Sequence, residues 1–145
     1  MIKKIKIKLP VYSDLNKRIK QGQYLGVGGI LKWENNFILV ANLKHPSKKW
    51  SFITVGVKPN EKPKEAIIRE IKEETNLKAK IEKEICLLEA SNLAGKKVNI
   101  YIYQCRGTGI PKPGKDIKAL GIFKELPSNL HPLCQKILKI GDNLN

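Results

Sequence analysis

The sequence predicts an α+β or α/β domain in which helices pack against a mixed sheet. Three observations carry this. β-rich segments lie on both sides of one strongly helical segment in mid-chain, a second helical stripe closes the sequence, and breaks rich in glycine, proline or asparagine separate them. The 145 residues suit one domain over 1–145 with a single core.

Residues 4–9 alternate lysine with isoleucine or leucine, the period of a strand with one apolar and one basic face. The lysines, with Pro10 behind them, suit a sheet edge, because charge and a missing donor discourage pairing with another chain. A solvated basic arm over about residues 1–20 is the alternative. Residues 24–32 and 37–43 read as a hairpin around Trp33-Glu34-Asn35-Asn36, where the asparagines tolerate the left-handed backbone of a tight turn. Residues 50–57 form a further strand that Lys58-Pro59-Asn60 breaks.

Pro63 is placed where a first helical turn accepts it, and opens a helix of about 13 residues ending near Asn76. Residues 80–90 and 97–106 are strands. The second puts Val98, Ile100 and Ile102 on one face and Tyr101 and Tyr103 on the other. Residues 107–115, with three glycines and two prolines, are a loop. Residues 116–123 read as a short strand, and 129–140 as a helix with Leu133, Ile137 and Ile140 on one stripe.

Composition narrows the function. Hydrophobic residues at 41% and charged residues at 28% exclude a disordered chain. Apolar runs are only a few residues long and the N-terminus lacks a signal-peptide core, which predicts a soluble cytoplasmic protein without membrane association. A net charge of +15 favours phosphate-bearing partners, although the basic residues are mostly lysine and the same composition would follow from adaptation to heat. Cys86, Cys105 and Cys134 are widely spaced and odd in number, so reduced, buried thiols are expected. With His45 and His131 as the only histidines, metal chemistry has to be carboxylate chemistry.

Glu61, Glu65, Glu70, Glu73 and Glu74 concentrate five of the 13 acids between residues 61 and 74. At about 100° per residue, Glu73 and Glu74 lie roughly −60° and +40° from Glu70, so three carboxylates share one helix face. Such like charges destabilise a helix unless basic neighbours or a divalent cation offset them. Ile67, Ile68 and Ile71 fill the adjoining arc and are expected to pack on the sheet, which puts the acids at the edge of the core.

From Glu61 the order is E-x7-R-E-I-x-E-E-x-N-L, with Arg69, Glu70, Ile71, Glu73, Glu74 and Leu77 at fixed offsets behind a strand and a proline turn. This resembles the Nudix hydrolase signature, G-x5-E-x7-R-E-U-x-E-E-x-G-U, where U is aliphatic. Trp50, eleven residues before Glu61, and the strands and closing helix after the motif extend the resemblance over most of residues 20–140. It implies an α+β fold, an α/β/α sandwich with a mixed sheet between helices. It also implies Mg²⁺-dependent hydrolysis of a diphosphate linkage in a nucleoside di- or triphosphate derivative, with Mn²⁺ as a substitute metal.

The resemblance assigns Glu70, Glu73 and Glu74 to the metal, with Glu73 or Glu74 as or beside the general base. It makes Glu61 and Arg69 the pair that positions Glu70, and Asp116 an additional acid, with an ordinary turn aspartate as the other reading. Val55 stands where the signature has its first glycine, and Asn76 where it has its last. Either Gly56 takes the first glycine's place through a one-residue bulge, and its backbone carbonyl joins the metal shell, or Val55 keeps the register. Lys44, His45, Trp50 and Tyr101 are candidates for holding a nucleotide-type substrate, against the plainer reading of a basic loop and core aromatics. The rival function is a catalytically silent Nudix-fold protein that binds RNA or nucleotide. A monomer or homodimer is expected.

Overall fold

The computed structural model describes residues 3–8, 25–41, 49–91, 97–114 and 119–140. In order these form β1 (Lys4–Lys8), β2 (Leu25–Trp33), β3 (Asn36–Ala41), β4 (Ile53–Gly56), α1 (Pro63–Thr75), β5 (Lys78–Ser91), β6 (Lys97–Thr108), β7 (Ala119–Phe123) and α2 (Pro132–Ile140). Seven strands make one mixed sheet in the order β1-β5-β6-β2-β3-β7, with β4 joined to β2. β1 is an edge strand, as its lysines predict, and pairs in parallel with β5.

β2 organises the sheet. One of its edges pairs in parallel with β6 along nine residues, from Leu25 against Asn99 to Trp33 against Gly107. Its other edge is divided between two partners: the N-terminal half, Gly26 to Gly29, pairs with β4, and the C-terminal end, Leu31 to Trp33, with β3. The β2–β3 turn is only Glu34-Asn35, and the positive φ of 54° falls on Glu34 instead of the expected asparagines. The turn's geometry, set by strand twist, outweighs the residue preference there.

The strand expected over 50–57 is shorter because its first residues change partner. Trp50 donates its N–H to the Asn129 carbonyl at 3.1 Å and accepts from His131 N–H at 2.7 Å, while Ser51 exchanges two bonds with Val40. Those contacts also delay the final helix, expected from 129, until Pro132. β6 runs two residues past its expected end, so Gly107 is a strand residue.

Each face of the sheet buries its own core. On one side Ile30, Leu39, Phe52, Leu88, Val98, Ile100 and Ile102 pack with Cys134 and Ile137 of α2. On the other, Val27, Leu31, Ile38, Ile53, Tyr103 and Cys105 pack with Ala66, Ile67 and Ile71 of α1. Helices therefore cover both faces, the α/β/α sandwich expected. Val98, Ile100 and Ile102 do face away from Tyr101 and Tyr103, as their alternation predicts. α1 seats closely because Gly29 has no side chain: a Cβ there would lie 2.9 Å from Ile67 Cγ1. Ile68 turns away from the sheet and is exposed, against expectation. All three cysteines are free and buried, and burial pushes the Cys86, Cys105 and Cys134 thiols up to about 11, 12 and 11, so they are inert at neutral pH. Among the described residues no helix is long and apolar enough to cross a membrane.

Candidate active site

α1 has the length and the cap its sequence predicts. Pro63 fills the first turn, the Glu65 carboxylate accepts the Lys62 N–H at 3.1 Å, and Asn76 ends the helix at φ 64°. Asparagine can replace a terminal glycine here because its short side chain tolerates that conformation. The cap is tied down: Asn76 N–H donates to the Lys72 carbonyl at 3.0 Å and its Nδ2 to the Ile110 carbonyl at 3.2 Å.

Between β4 and α1 the chain turns tightly. Val57 N–H still bonds the Leu25 carbonyl at 3.0 Å, then Glu61 N–H reaches the Lys58 carbonyl at 3.0 Å, with Asn60 at φ 65° between them. The β2–β4 ladder is regular from Ile53 through Gly56, with Val55 opposite Val27. There is no bulge, so Val55 keeps the register and the left-handed residue of this loop is Asn60, not Gly56.

Arg69 organises the carboxylates. Its Nε and Nη2 grip Glu61 in a bidentate pair at 2.8 and 3.1 Å, while Nη1 reaches Glu70 at 3.3 Å and Glu73 at 3.4 Å. The first two are strong charge-assisted bonds and the last two are long. Glu61 also accepts the Lys58 N–H at 3.1 Å. The Arg69 bond, supported by Lys58, holds the Glu61 carboxyl down to about 2, and the same pair raises Arg69. Glu61 is therefore an anion at any working pH, committed to fixing the loop against the helix.

Two of the five acids, Glu61 and Glu65, are thus engaged in shaping the helix start, leaving Glu70, Glu73 and Glu74 on the remaining face. Glu70 is largely buried at 13% side-chain exposure and Glu73 is open at 55%. Among the described residues no three acidic, histidine or cysteine side chains converge tightly enough to hold a metal as they are oriented, because Glu70 and Glu73 lean toward Arg69. Their donor chemistry nevertheless fits a hard divalent cation, since all three supply carboxylate oxygens and the long Arg69 contacts are the weak ones to release. Mg²⁺ belongs to that class, and Glu70, Glu73 and Glu74 would hold it.

The remaining expected residues divide. Gly56 ends β4. Tyr101 lies on the α1 face, stacked on Tyr103 with ring centroids 6.3 Å apart. Trp50 is on the opposite face, edge-on to Phe123 at 5.0 Å, packed against the α2 core. Lys44, His45 and Asp116 fall outside the described residues. What sequence reasoning missed is the segment 109–114, read only as a loop, which packs along the C-terminal turn of α1. Its signal was present in Pro111-Lys112-Pro113-Gly114, where residues with and without an N–H alternate.

The comparisons agree with this geometry. The NUDIX domain profile matches residues 23–127, and the chain belongs to that family. The fold is similar to that of a MutT NUDIX hydrolase from Burkholderia pseudomallei at 21% identity and a TM-score of 0.65, over 81% of this chain and 97% of that one. It is also similar to the E. coli ORF135 protein at 17% identity and 0.68, over 99% and 91%, and to a UDP-X diphosphatase at 18% and 0.64, over 92% and 72%. At such identities the likeness is one of fold. No curated protein gives a significant sequence match.

Proposed function

We propose that this chain hydrolyses a diphosphate linkage in a nucleoside di- or triphosphate derivative, using Mg²⁺ or, in its place, Mn²⁺. The observation that carries it is the placement of Glu70, Glu73 and Glu74 on one α1 face, with Arg69 braced by Glu61 behind them. A bound cation would neutralise phosphate charge and sharpen a water as nucleophile. The protein's part is positional. Glu61 and the Lys58–Asn60 turn hold Arg69, Arg69 sets the direction of Glu70, and Glu73 or Glu74 accepts the proton of the attacking water. Asp116 supplies a further acid from the later loop. The Gly56 carbonyl, at the end of β4 before the turn that leads to Glu61, is put forward for the metal shell without the bulge first expected. Tyr101, Lys44 and His45 are assigned to holding the nucleotide. Trp50, packed on the other face, is assigned to the core.

The substrate class follows from the family and from the +15 charge, which concentrates phosphates around the molecule. A UDP-X diphosphatase among the similar folds accords with small nucleoside diphosphate derivatives. A silent binder of nucleotide or RNA is the second reading, favoured by the Arg69 contacts that Glu70 and Glu73 already make. A nucleotide panel scored for Mg²⁺-dependent release of phosphate or of a nucleoside monophosphate separates them. Glu73→Gln and Glu74→Gln should fold normally and lose at least about 10²-fold in turnover, because a ligand loses its charge at constant volume. Turnover near wild type in both variants, or nucleotide binding without turnover in the parent, sinks the enzymatic reading.

A further inference from the structure

The last carbonyls of a helix have no partner within it, and those of α1 belong to the residues that carry the site. The structure satisfies two of them from outside. Gly114 N–H donates to the Glu74 carbonyl at 2.9 Å and Lys112 N–H to the Thr75 carbonyl at 2.8 Å. Pro111 and Pro113, on either side of Lys112, have no N–H to leave unmatched, and Lys112, preceding a proline, is confined to extended backbone that presents alternate donors to one side. The other end of this strap is anchored as well: Trp33 Nε1 donates to the Gly109 carbonyl at 2.9 Å, and Asn76 Nδ2 to that of Ile110 at 3.2 Å. Gly109 accommodates the entry at φ 116°.

Contact at Gly114 is closer than a side chain allows. A Cβ there would collide with the Glu73 carbonyl oxygen and lie 3.1 Å from both the Glu73 carbonyl carbon and Glu74 Cα. These are backbone atoms of the two acids, so nothing can swing aside. We infer that strap 109–114 is a positioning element for the active site, in which the Lys112 and Gly114 amides and the bare Cα of Gly114 set the backbone height from which Glu73 and Glu74 reach a divalent cation. This rests on the reading of those carboxylates as cation ligands. Gly114 and Lys112 are positioning residues, acting through the helix end and not on substrate.

The test measures Mn²⁺ alone, by the loss of its free-ion paramagnetic resonance signal, beside thermal unfolding. Gly114→Ala should weaken Mn²⁺ binding by about tenfold or more, the range seen when support behind a metal ligand is removed. Gly121→Ala is the control, because the atoms its Cβ would press on most closely belong to the Phe123 and Trp50 side chains, on the other face of the sheet. It should lower Tm yet keep Mn²⁺ affinity within about twofold. Lys112→Pro deletes one strap donor and should weaken Mn²⁺, whereas Lys112→Ala keeps the N–H and should not; this pair decides if Gly114→Ala does not fold. Wild-type affinity in Gly114→Ala, or equal losses in Gly121→Ala, overturns the inference. A parent protein that binds no Mn²⁺ overturns the metal reading itself, a failure told apart because it precedes any substitution.

Discussion

The two ends of α1 are held by different forces. At the N-terminal end, charge does the work: Glu61 locked to Arg69, Arg69 extended toward Glu70 and Glu73, and Glu65 closing on the Lys62 amide. At the C-terminal end neutral hydrogen bonds dominate, with the Lys72 ammonium adding a bond to the Asn76 carbonyl at 3.1 Å. Backbone amides of the strap meet helix carbonyls, Asn76 turns the chain, and Thr75 is buried with its Oγ1 donating to the Ile71 carbonyl at 2.6 Å and accepting from Leu77 N–H. The lesson concerns adjustability. A cation arriving at Glu70 and Glu73 competes with Arg69 at an end that can rearrange, while the main chain beneath Glu73 and Glu74 stays where neutral hydrogen bonds have put it.

The strongest way to break that contrast is Arg69→Ala. Three carboxylates lose their shared partner and Glu61 is left partly buried without its cation, which should cost about 2 kcal/mol in thermal or urea unfolding as well as activity. Arg69→Lys should recover little, because one ammonium cannot replace the bidentate grip. Unchanged stability in Arg69→Ala would show that the charged end does not fasten the helix.

Acid should separate the ends next. The Glu61 carboxyl is held at about 2 against an ordinary 4.5, so its contribution is complete above pH 4.5 and is lost as the pH falls from there toward 2. Wild type should therefore lose stability relative to Glu61→Gln across that window, the two melting curves converging at its acid end. Amide exchange at Lys112 and Gly114 should change less than at Lys58 over the same range. Parallel pH profiles for the two proteins would contradict the electrostatic account.

Least affected should be Asn76→Gly, within about 0.5 kcal/mol, since glycine relieves the left-handed conformation while giving up the Asn76 side-chain bonds. Gly56→Ala should be comparably mild, because its strand is regular and its φ is not positive. A large loss of stability in either would sharpen the picture by revealing side-chain or backbone demands that the hydrogen bonds do not account for.

How much of this was legible depended on whether the information was local. The α1 span, its proline start and its asparagine stop are written in adjacent residues, and the spacing of Arg69, Glu70, Glu73 and Glu74 puts the acids on one face without any tertiary knowledge. Strand alternation in β6 assigned Tyr101 and Tyr103 to the correct side. The packing of Trp50 beside Phe123 could not be read, because a strand assigned to 50–57 hides its switch to partners at 129–131. Ile68 was counted as core since helical periodicity defines an arc but not its width. The alternation in residues 111–114 hinted at paired amides, but their partners stayed hidden because the hydrogen bonds cross to residues far back in the chain.

The parallel ladder of β2 and β6 has a kinetic consequence. Leu25 meets Asn99, so α1, β4 and β5 all lie inside the loop that this pairing closes, and no local turn can nucleate it. The strap that grips α1 follows β6 directly, and the β5–β6 hairpin, which sets Lys78 against Thr108, brings it to the end of the helix without that closure. The strapped helix end is thereby placed ahead of the β2–β6 ladder, and loosening the strap should slow refolding more than it quickens unfolding, the two limbs of a chevron plot responding unequally. The helix end that carries Glu73 and Glu74 is held by its own hairpin before the sheet closes around it.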